Sequence, residues 1–251
     1  MYDNMKAMIF AAGLGTRLKP FTTEHPKALV PVGGVPMLQR VILKLRDEGF
    51  ESIIINVHHF AEQIKAFLKQ NNNFGVDIEI SDETDLLLDT GGGILKARPF
   101  LDCGEPVLLC NADILTDVSF SEIYDAHVHS GADATLLASE RQTSRYLCFD
   151  RQNYRLEGWV NISTGETRPD SFMLNEESIK LAFGGVHVIS SAVFPLLAAY
   201  SDNPKFSITS FYVDNCSELV IKPYTPANKF HWFDVGKPET LDLADNYLRS
   251  L

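Results

Sequence analysis

The sequence has few basic residues, few cysteines and no long apolar run. Its 22 lysines and arginines stand against 33 aspartates and glutamates, which gives a formal net charge of −11. Nucleic acid and anionic membranes both require a basic surface, so neither is expected as a partner. The apolar runs fall far short of the ~20 residues of a membrane span. The four cysteines form no CxxC pair and no zinc-type spacing with histidine, which predicts reduced, mostly buried thiols in a cytoplasmic protein.

The first half of the chain alternates between short apolar runs and amphipathic segments. Strands are predicted at 7–12, 52–58, 76–80 and 106–110, and helices at Pro36 to Gly49, at 61–70 and at 119–130. With 45% hydrophobic residues and only 12 prolines, no disordered tract is expected. The alternation predicts an α/β, Rossmann-like fold whose mixed, mostly parallel central sheet is flanked by helices.

The second half is less regular and predicts a small antiparallel β subregion. We expect YLCFD to pair with YRLEGWV, GGVHVIS (184–190) to return to the main sheet, and FHWFDVG (230–236) to form a strand that ends in a tight turn. A closing helix would begin at Pro238. Its apolar face would carry Leu241, Ala244, Leu248 and Leu251. Because there is no internal repeat and no linker, we expect one domain over residues 1–251.

The stretch AAGLGTRLKPFTTEHPKALVPV, residues 11–32, follows the first predicted strand. Gly13 and Gly15 would let backbone N–H groups approach an anion, at the sheet edge where open α/β folds bind ligands. Arg17 and Lys27 would surround a polyphosphate from two sides. A dinucleotide fingerprint would need a third glycine, and a P-loop would end in GK[ST]. The stretch therefore predicts a phosphate site of another type.

Two further segments carry residues that suit a nucleotide site. LLDTGGG (87–93), interpreted as a glycine-rich loop, offers the Thr90 hydroxyl and lets a flat base or sugar ring approach the backbone. LLCNADI (108–114) places Asp113 directly after a buried strand, where a carboxylate is a suitable oxygen ligand for Mg²⁺. A plain flexible turn and a helix or turn cap are the alternative interpretations of these two segments.

The string G-L-G-T-R-L-x-P-x-T-x-x-x-P-K-A-L-V-P-V resembles the signature of the sugar-phosphate nucleotidyltransferases. These enzymes join a sugar 1-phosphate to a nucleoside triphosphate and release pyrophosphate. LLDTGGG resembles their L-[GE]-T-[AG]-G loop, LLCNADI their [GN]-x-D metal motif, and WFDVGKPETL (232–241) their closing W-x-D-[IV]-G-[TK]-P-E. The resemblance implies the nucleotide-diphospho-sugar transferase fold and Mg²⁺ as cofactor.

The resemblance also implies roles for four side chains. Mg²⁺ held by Asp113 and Asp234 would bridge oxygens of the α-phosphate and of the sugar phosphate. Arg17 would hold the β- and γ-phosphates, and Lys27 would neutralise charge near the α-phosphorus during in-line attack. The nucleophile is already an anion, so no general base is needed.

The remaining implied contacts divide between the two substrates. The nucleotide contacts are Ala11, Ala12, Gly13, Gly15, Thr16, Arg17, Glu83, Thr90 and Gly91. The sugar contacts are Asn111, Trp159, Asn161 and Gly185. Residues 1–117 would thus bind mainly the nucleotide and 118–251 mainly the sugar. Glu83 stands where many relatives carry glutamine, and LEGWVNISTGE (156–166) has no lysine where many relatives carry an E-K-P element.

Within the family, INVHHFAEQI, ISDE and LLDTGGGI together look closest to the short N-acetylmuramic acid 1-phosphate uridylyltransferases of bacterial cell-wall recycling. This favours UTP as the nucleotide. A GTP-dependent mannose- or heptose-1-phosphate guanylyltransferase is the alternative enzyme, and a catalytically silent regulatory homologue is the alternative of another class. At 251 residues we expect no C-terminal β-helix and no acyltransferase activity.

Overall fold

A computed structural model of the chain describes residues 5–250, so Leu251, predicted to lie on the closing helix, falls outside the described residues. The strands are β1 Met5–Phe10, β2 Pro31–Val32, β3 Val35–Pro36, β4 Phe50–Val57, β5 Asp77–Asp82, β6 Val107–Asn111, β7 Ile114–Thr116, β8 Ala134–Ser139, β9 Arg145–Asp150, β10 Leu156–Asn161, β11 Glu166–Arg168, β12 Ser178–Ile189, β13 Ile221–Tyr224 and β14 Trp232–Asp234. The helices are α1 Met37–Asp47, α2 Ala61–Gln70, α3 Asp89–Leu101, α4 Phe120–Ser130, α5 Val193–Ala199, α6 Ile208–Asp214 and α7 Pro238–Arg249.

Ten strands between residues 5 and 250 form one sheet. Its main order is β11-β10-β9-β12-β6-β1-β4-β5, and β8 joins it by pairing with β12 and β13. The neighbours β6, β1, β4 and β5 run parallel. Strand β12 runs antiparallel to β6, β8 and β9, and β10 runs antiparallel to β9 and β11. The predicted mixed α/β sheet with an antiparallel extension is confirmed.

The parallel strands are buried on both faces, as their unbroken apolar sequences require. In β1, Ala7 and Ile9 belong to one hydrophobic cluster, which includes Leu38 of α1, whereas Met8 between them belongs to a second cluster with Ile94 of α3. Three of the four cysteines are buried, as predicted, and Cys103 is exposed. Among the helices of residues 5–250, none is long and apolar enough to cross a bilayer.

The two candidate loops meet at one edge of the sheet. Strand β1 is flanked by β4 on one side and by β6 on the other, so the segments that follow β1 and β6 leave the sheet side by side. The Ala112 N–H donates a hydrogen bond to the Phe10 carbonyl at 3.1 Å and joins them. This is the position at which open α/β sheets bind their ligands, because neighbouring connections diverge there.

The structure corrects the interpretation of LLDTGGG as a loop. Helix α3 begins at Asp89, so Thr90 and the three glycines form its first turns. Glycine is needed at positions 91 and 92 of this helix because the segment 204–206 passes directly over them and leaves no room for a Cβ. The N–H groups of Gly91 and Gly92 donate to the Phe206 carbonyl at 2.9 and 3.3 Å.

We predict that Gly92→Ala destabilises the fold, although alanine is normally better than glycine in a helix by about 1 kcal/mol. A Cβ at position 92 would overlap the Pro204 carbonyl oxygen, whereas a Cβ at Gly13 would meet nothing within 4 Å. Overpacking of this kind lowers the free energy of unfolding by about 1–3 kcal/mol. Denaturant titration would measure the loss, with Gly13→Ala as a control that changes stability by less than about 0.5 kcal/mol. Wild-type stability of Gly92→Ala would contradict the packing described.

Candidate active site

A cleft of about 460 Å³ opens where the segments after β1 and β6 meet. We call it the first cleft. Every predicted nucleotide contact except Gly91 lines it, as do Lys27, Asn111 and Asp113. Gly91 is buried in α3 against Phe206 and does not line the first cleft.

The loop after β1 presents backbone to the first cleft. Gly15 adopts the left-handed conformation with φ of +63°, which reverses the chain ahead of a short 3-10 turn over Thr16–Leu18. The Thr22 hydroxyl donates to the Gly15 carbonyl at 2.7 Å and fixes the turn. Leu18 is buried beneath the loop, and Arg17 is exposed above it. The loop is thereby anchored while its polar groups face the cleft.

Asn56, at the end of β4, holds the base of the first cleft together. Its Oδ1 accepts a hydrogen bond from the Ala11 N–H, and its Nδ2 donates to Oε1 of Glu83, each at 2.8 Å. The other carboxylate oxygen of Glu83 accepts the Leu88 N–H at 3.1 Å. Glu83 is fully buried, and this burial raises the pKa of its carboxyl despite the two donors.

Four charged side chains converge at the far end of the loop. Lys27 and Asp113 form an ion pair with most of both side chains buried. The Val235 N–H donates to the Asp113 carbonyl at 3.0 Å, and β14 pairs with β7, so Asp234 lies beside the Asp113 segment. A Cβ at Gly236 would lie 2.6 Å from Asp234 Oδ1, 2.8 Å from Lys27 Nζ and 3.0 Å from Arg17 Nη2. The predicted catalytic residues are therefore brought together around one glycine.

The two carboxylates of this cluster fit a Mg²⁺ ion whose other ligands come from substrate phosphates and water. Among residues 5–250 no group of three or more His, Cys, Asp or Glu side chains is placed to hold a metal ion. Mg²⁺ is commonly bound by one or two carboxylates together with substrate phosphates and water, rather than by a protein cage. Asp113 and Asp234 are the two carboxylates that would hold the ion.

A second cleft of about 710 Å³ shares Arg17 with the first. Asp234 lines it, as do Trp159 and Asn161, two of the four predicted sugar contacts. Gly185 lies behind Asn111, because a Cβ on Gly185 would approach Asn111 Nδ2 to 2.8 Å. The charged cluster thus stands at the junction of two clefts.

Several basic residues of the clefts were missed by the sequence analysis. Lys205 lines the first cleft, and Arg141, Arg145 and Arg168 line the second. Arg145 and Arg168 lie at the ends of β9 and β11, and Lys205 and Arg141 lie in irregular segments. All four are far in the chain from the loop after β1, so no spacing identifies them. One signal was available: LEGWVNISTGE has no lysine where many relatives carry an E-K-P element, so another cation was to be expected near this segment.

The chain resembles known protein sequences. The family model described as Nucleotidyl transferase matches residues 6–250. N-acetylmuramate alpha-1-phosphate uridylyltransferase of Neisseria meningitidis serogroup B is 41% identical over 120 residues, which cover 48% of this chain and 52% of the relative. Probable mannose-1-phosphate guanylyltransferase 1 of Oryza sativa subsp. japonica is 29% identical over 244 residues, which cover 93% and 62%. The chain thus spans about half to 62% of the length of these curated relatives.

Solved structures share the fold. UDP-glucose pyrophosphorylase complexed with UDP-glucose has a TM-score of 0.77 at 18% identity and covers 98% of this chain and 99% of that one. HddC from Yersinia pseudotuberculosis complexed with GMP-PN has a TM-score of 0.74 at 21% identity, with coverage of 97% and 99%. The nucleotide-diphospho-sugar transferase fold is confirmed.

We predict that Asn56→Asp destabilises the protein by about 2–4 kcal/mol near neutral pH. The change keeps the acceptor for Ala11 but replaces the donor to Glu83 with a second buried carboxylate. Two adjacent buried carboxylates repel each other, so each favours the protonated form of the other. Their pKa values in the folded state therefore rise above their ordinary values; that of Glu83 is 4.5. The folded variant then binds more protons than the unfolded chain, and its stability falls as the pH rises above about 4.5.

Urea denaturation at pH 5 and pH 8 would measure the effect, with the larger loss expected at pH 8. Asn153→Asp is the matched control, because Asn153 is exposed and its Oδ1 accepts the Arg155 N–H, which a carboxylate also does. We expect it to change stability by less than about 0.5 kcal/mol. Equal losses for the two variants would contradict the role of Asn56.

Proposed function

This chain belongs to the Nucleotidyl transferase family, and we propose that it joins a sugar 1-phosphate to a nucleoside triphosphate, giving an NDP-sugar and pyrophosphate. The observation that carries the proposal is the convergence of Arg17, Lys27, Asp113 and Asp234 at the junction of two clefts. Two cations and two carboxylates at one point suit a reaction that brings two phosphate groups into contact.

The two clefts would hold the two substrates. The first cleft, lined mainly by residues 10–113, is proposed for the nucleotide, and the second, lined mainly by residues 141–234, for the sugar. The proposed assignment follows the division at residues 1–117 and 118–251 that the sequence analysis expects. Three residues are exceptions to this division. Arg17 also lines the second cleft, and Lys205 and Gly236 line the first.

The side chains at the junction would act by charge and position. Arg17 would hold the β- and γ-phosphates, and Lys27 would exchange its bond with Asp113 for the α-phosphate oxygens. An oxygen of the sugar phosphate forms a bond to the α-phosphorus, and the bond from that phosphorus to the bridging oxygen breaks, so pyrophosphate leaves with the electron pair. Mg²⁺ held by Asp113 and Asp234 would supply electrostatic stabilisation of the phosphate charges.

UTP and N-acetylmuramic acid 1-phosphate are the proposed substrates, for a step of cell-wall recycling in the cytoplasm. The 41% identity to a uridylyltransferase of that specificity supports this choice. GTP with mannose 1-phosphate is the second candidate, because a guanylyltransferase aligns with 93% of the chain. The presence of all four charged residues argues against a catalytically silent homologue.

We predict pyrophosphate release with UTP and N-acetylmuramic acid 1-phosphate in the presence of Mg²⁺. Each of the four ribonucleoside triphosphates would be tested against N-acetylmuramic acid, mannose, heptose and glucose 1-phosphates in a coupled pyrophosphate assay. Release only with GTP and mannose or heptose 1-phosphate would overturn the substrate assignment. No release with any pair would favour the silent homologue.

We further predict that Asp113→Asn and Asp234→Asn each lower kcat by about 1,000-fold, since a metal ion contributes several kcal/mol to a phosphoryl reaction. Circular dichroism should show both variants folded at the assay temperature, and Asp113→Asn should unfold at a lower temperature than the wild type because it weakens the buried pair with Lys27. Asp125→Asn on the exposed face of α4 is the control and should retain full activity. A rate within about tenfold of wild type for either cleft variant would remove that residue from the proposed metal site.

A further inference from the structure

The floor of the second cleft is one face of strands β9, β10 and β11. The pairing of these strands places six side chains in two rows across the floor: Arg145, Asn161 and Glu166 in one row, and Leu147, Trp159 and Arg168 in the next. All six line the cleft. Because residues two apart on a strand share a face, the register itself aims these side chains into one space.

The second cleft is basic in an acidic protein. It is lined by four arginines against the two carboxylates of Glu166 and Asp234, in a chain whose formal net charge is −11. Arg168 donates to Oε1 of Glu166 from Nη2 at 2.7 Å and from Nε at 2.9 Å, so these two charges neutralise each other.

Two of the remaining arginines lie beside the charged junction. Arg17 approaches Asp234 and Lys27 around Gly236. The Arg141 guanidinium lies 4.0 Å from the centre of the Trp232 ring, two residues before Asp234, and donates to the Phe183 carbonyl at 2.6 Å. Both are placed to serve the phosphates that the proposed reaction brings to this junction.

The fourth arginine, Arg145, neither pairs with a carboxylate nor lies beside the charged junction. It is exposed in the cleft, on the sheet floor beside Asn161 rather than beside β14. In the part of the chain that the structure describes, its guanidinium has no carboxylate within 4.0 Å and no hydrogen-bond acceptor. A planar guanidinium with free N–H groups binds a carboxylate through two parallel hydrogen bonds.

We propose that the second cleft selects a sugar 1-phosphate that carries a carboxylate substituent, and that Arg145 binds this carboxylate. The proposal rests on the proposed function, because it takes the second cleft as the sugar site. Trp159 and Asn161 form the floor next to Arg145 and contact the sugar between the carboxylate and the phosphate. One surplus guanidinium matches a monoanionic carboxylate better than a second phosphate, whose charge at neutral pH approaches −2.

The test compares sugar 1-phosphates that differ only in the acid. N-acetylmuramic acid 1-phosphate would be compared with N-acetylglucosamine 1-phosphate, which lacks the lactyl ether, and glucuronic acid 1-phosphate with glucose 1-phosphate. We expect at least about a tenfold preference in kcat/KM for the acidic member of at least one pair. Arg145→Gln should lower kcat/KM for the preferred acid by about 10- to 100-fold and for its neutral counterpart by no more than about threefold, because the lost bonds join two charged groups.

Arg151→Gln is the matched control. Arg151 is an exposed arginine just beyond the other end of β9 and lines neither cleft, so the change should leave the preference as in the wild type. Equal kcat/KM values for acidic and neutral sugars in the wild type, or a preference that persists in Arg145→Gln, would overturn the proposal.

Calorimetric binding of the same four sugar phosphates separates this proposal from the proposed function. If no pair releases pyrophosphate but the acidic sugars bind more tightly in an Arg145-dependent way, the transfer reaction fails and the specificity stands. If pyrophosphate is released with equal efficiency from acidic and neutral sugars, the reaction stands and the specificity fails. Absence of both turnover and selective binding overturns both.

Discussion

The site depends on a cluster of two cations and two carboxylates that neutralise one another. No single helix or strand could bring these four side chains together. Lys27 and Asp113 form a largely buried ion pair, and Arg17 and Asp234 meet them around Gly236. Charges taken out of water are costly unless each has a partner, so the cluster requires all three contributing segments to be in place. The short pairing of β7 with β14 joins the last of them to the sheet. Residues that lie more than 200 positions apart in the chain are thereby brought together at one point.

The start of the loop after β1 is fixed in a similar way, because the buried polar groups that support it have hydrogen-bond partners. Asn56 uses both ends of its amide, one for the Ala11 N–H and one for the Glu83 carboxylate. An unpaired polar group at this depth would cost about 1–3 kcal/mol. The arrangement fixes the start of the loop against β4 and β5 and leaves the N–H groups of its exposed part available to a ligand. Rigid support beneath a polar surface is what preorganised binding of phosphates requires.

Most of the residues that line the first cleft could be found from the sequence because that cleft is built from local patterns. Four apolar runs specified the parallel strands, and glycines with Arg17 and Lys27 marked the loop between sheet and helix. The first turns of α3 were mistaken for a loop because three consecutive glycines are poor helix formers. The compensating contact comes from Phe206, more than 100 residues away. No local pattern contains that information.

The second cleft was less predictable because its polar side chains are brought together by strand register. Arg145, Asn161 and Glu166 share a row only after β9, β10 and β11 have paired, and a shift of one residue in that pairing would turn each of them to the opposite face. The first cleft relies on backbone groups and on glycines such as Gly15 and Gly236, where an added Cβ would come within 3.0 Å of a neighbouring side chain. On the floor of the second cleft, side chains can be exchanged without altering the strands beneath them. On the proposed function, substrate choice could therefore change there while the charged residues around Gly236 are kept.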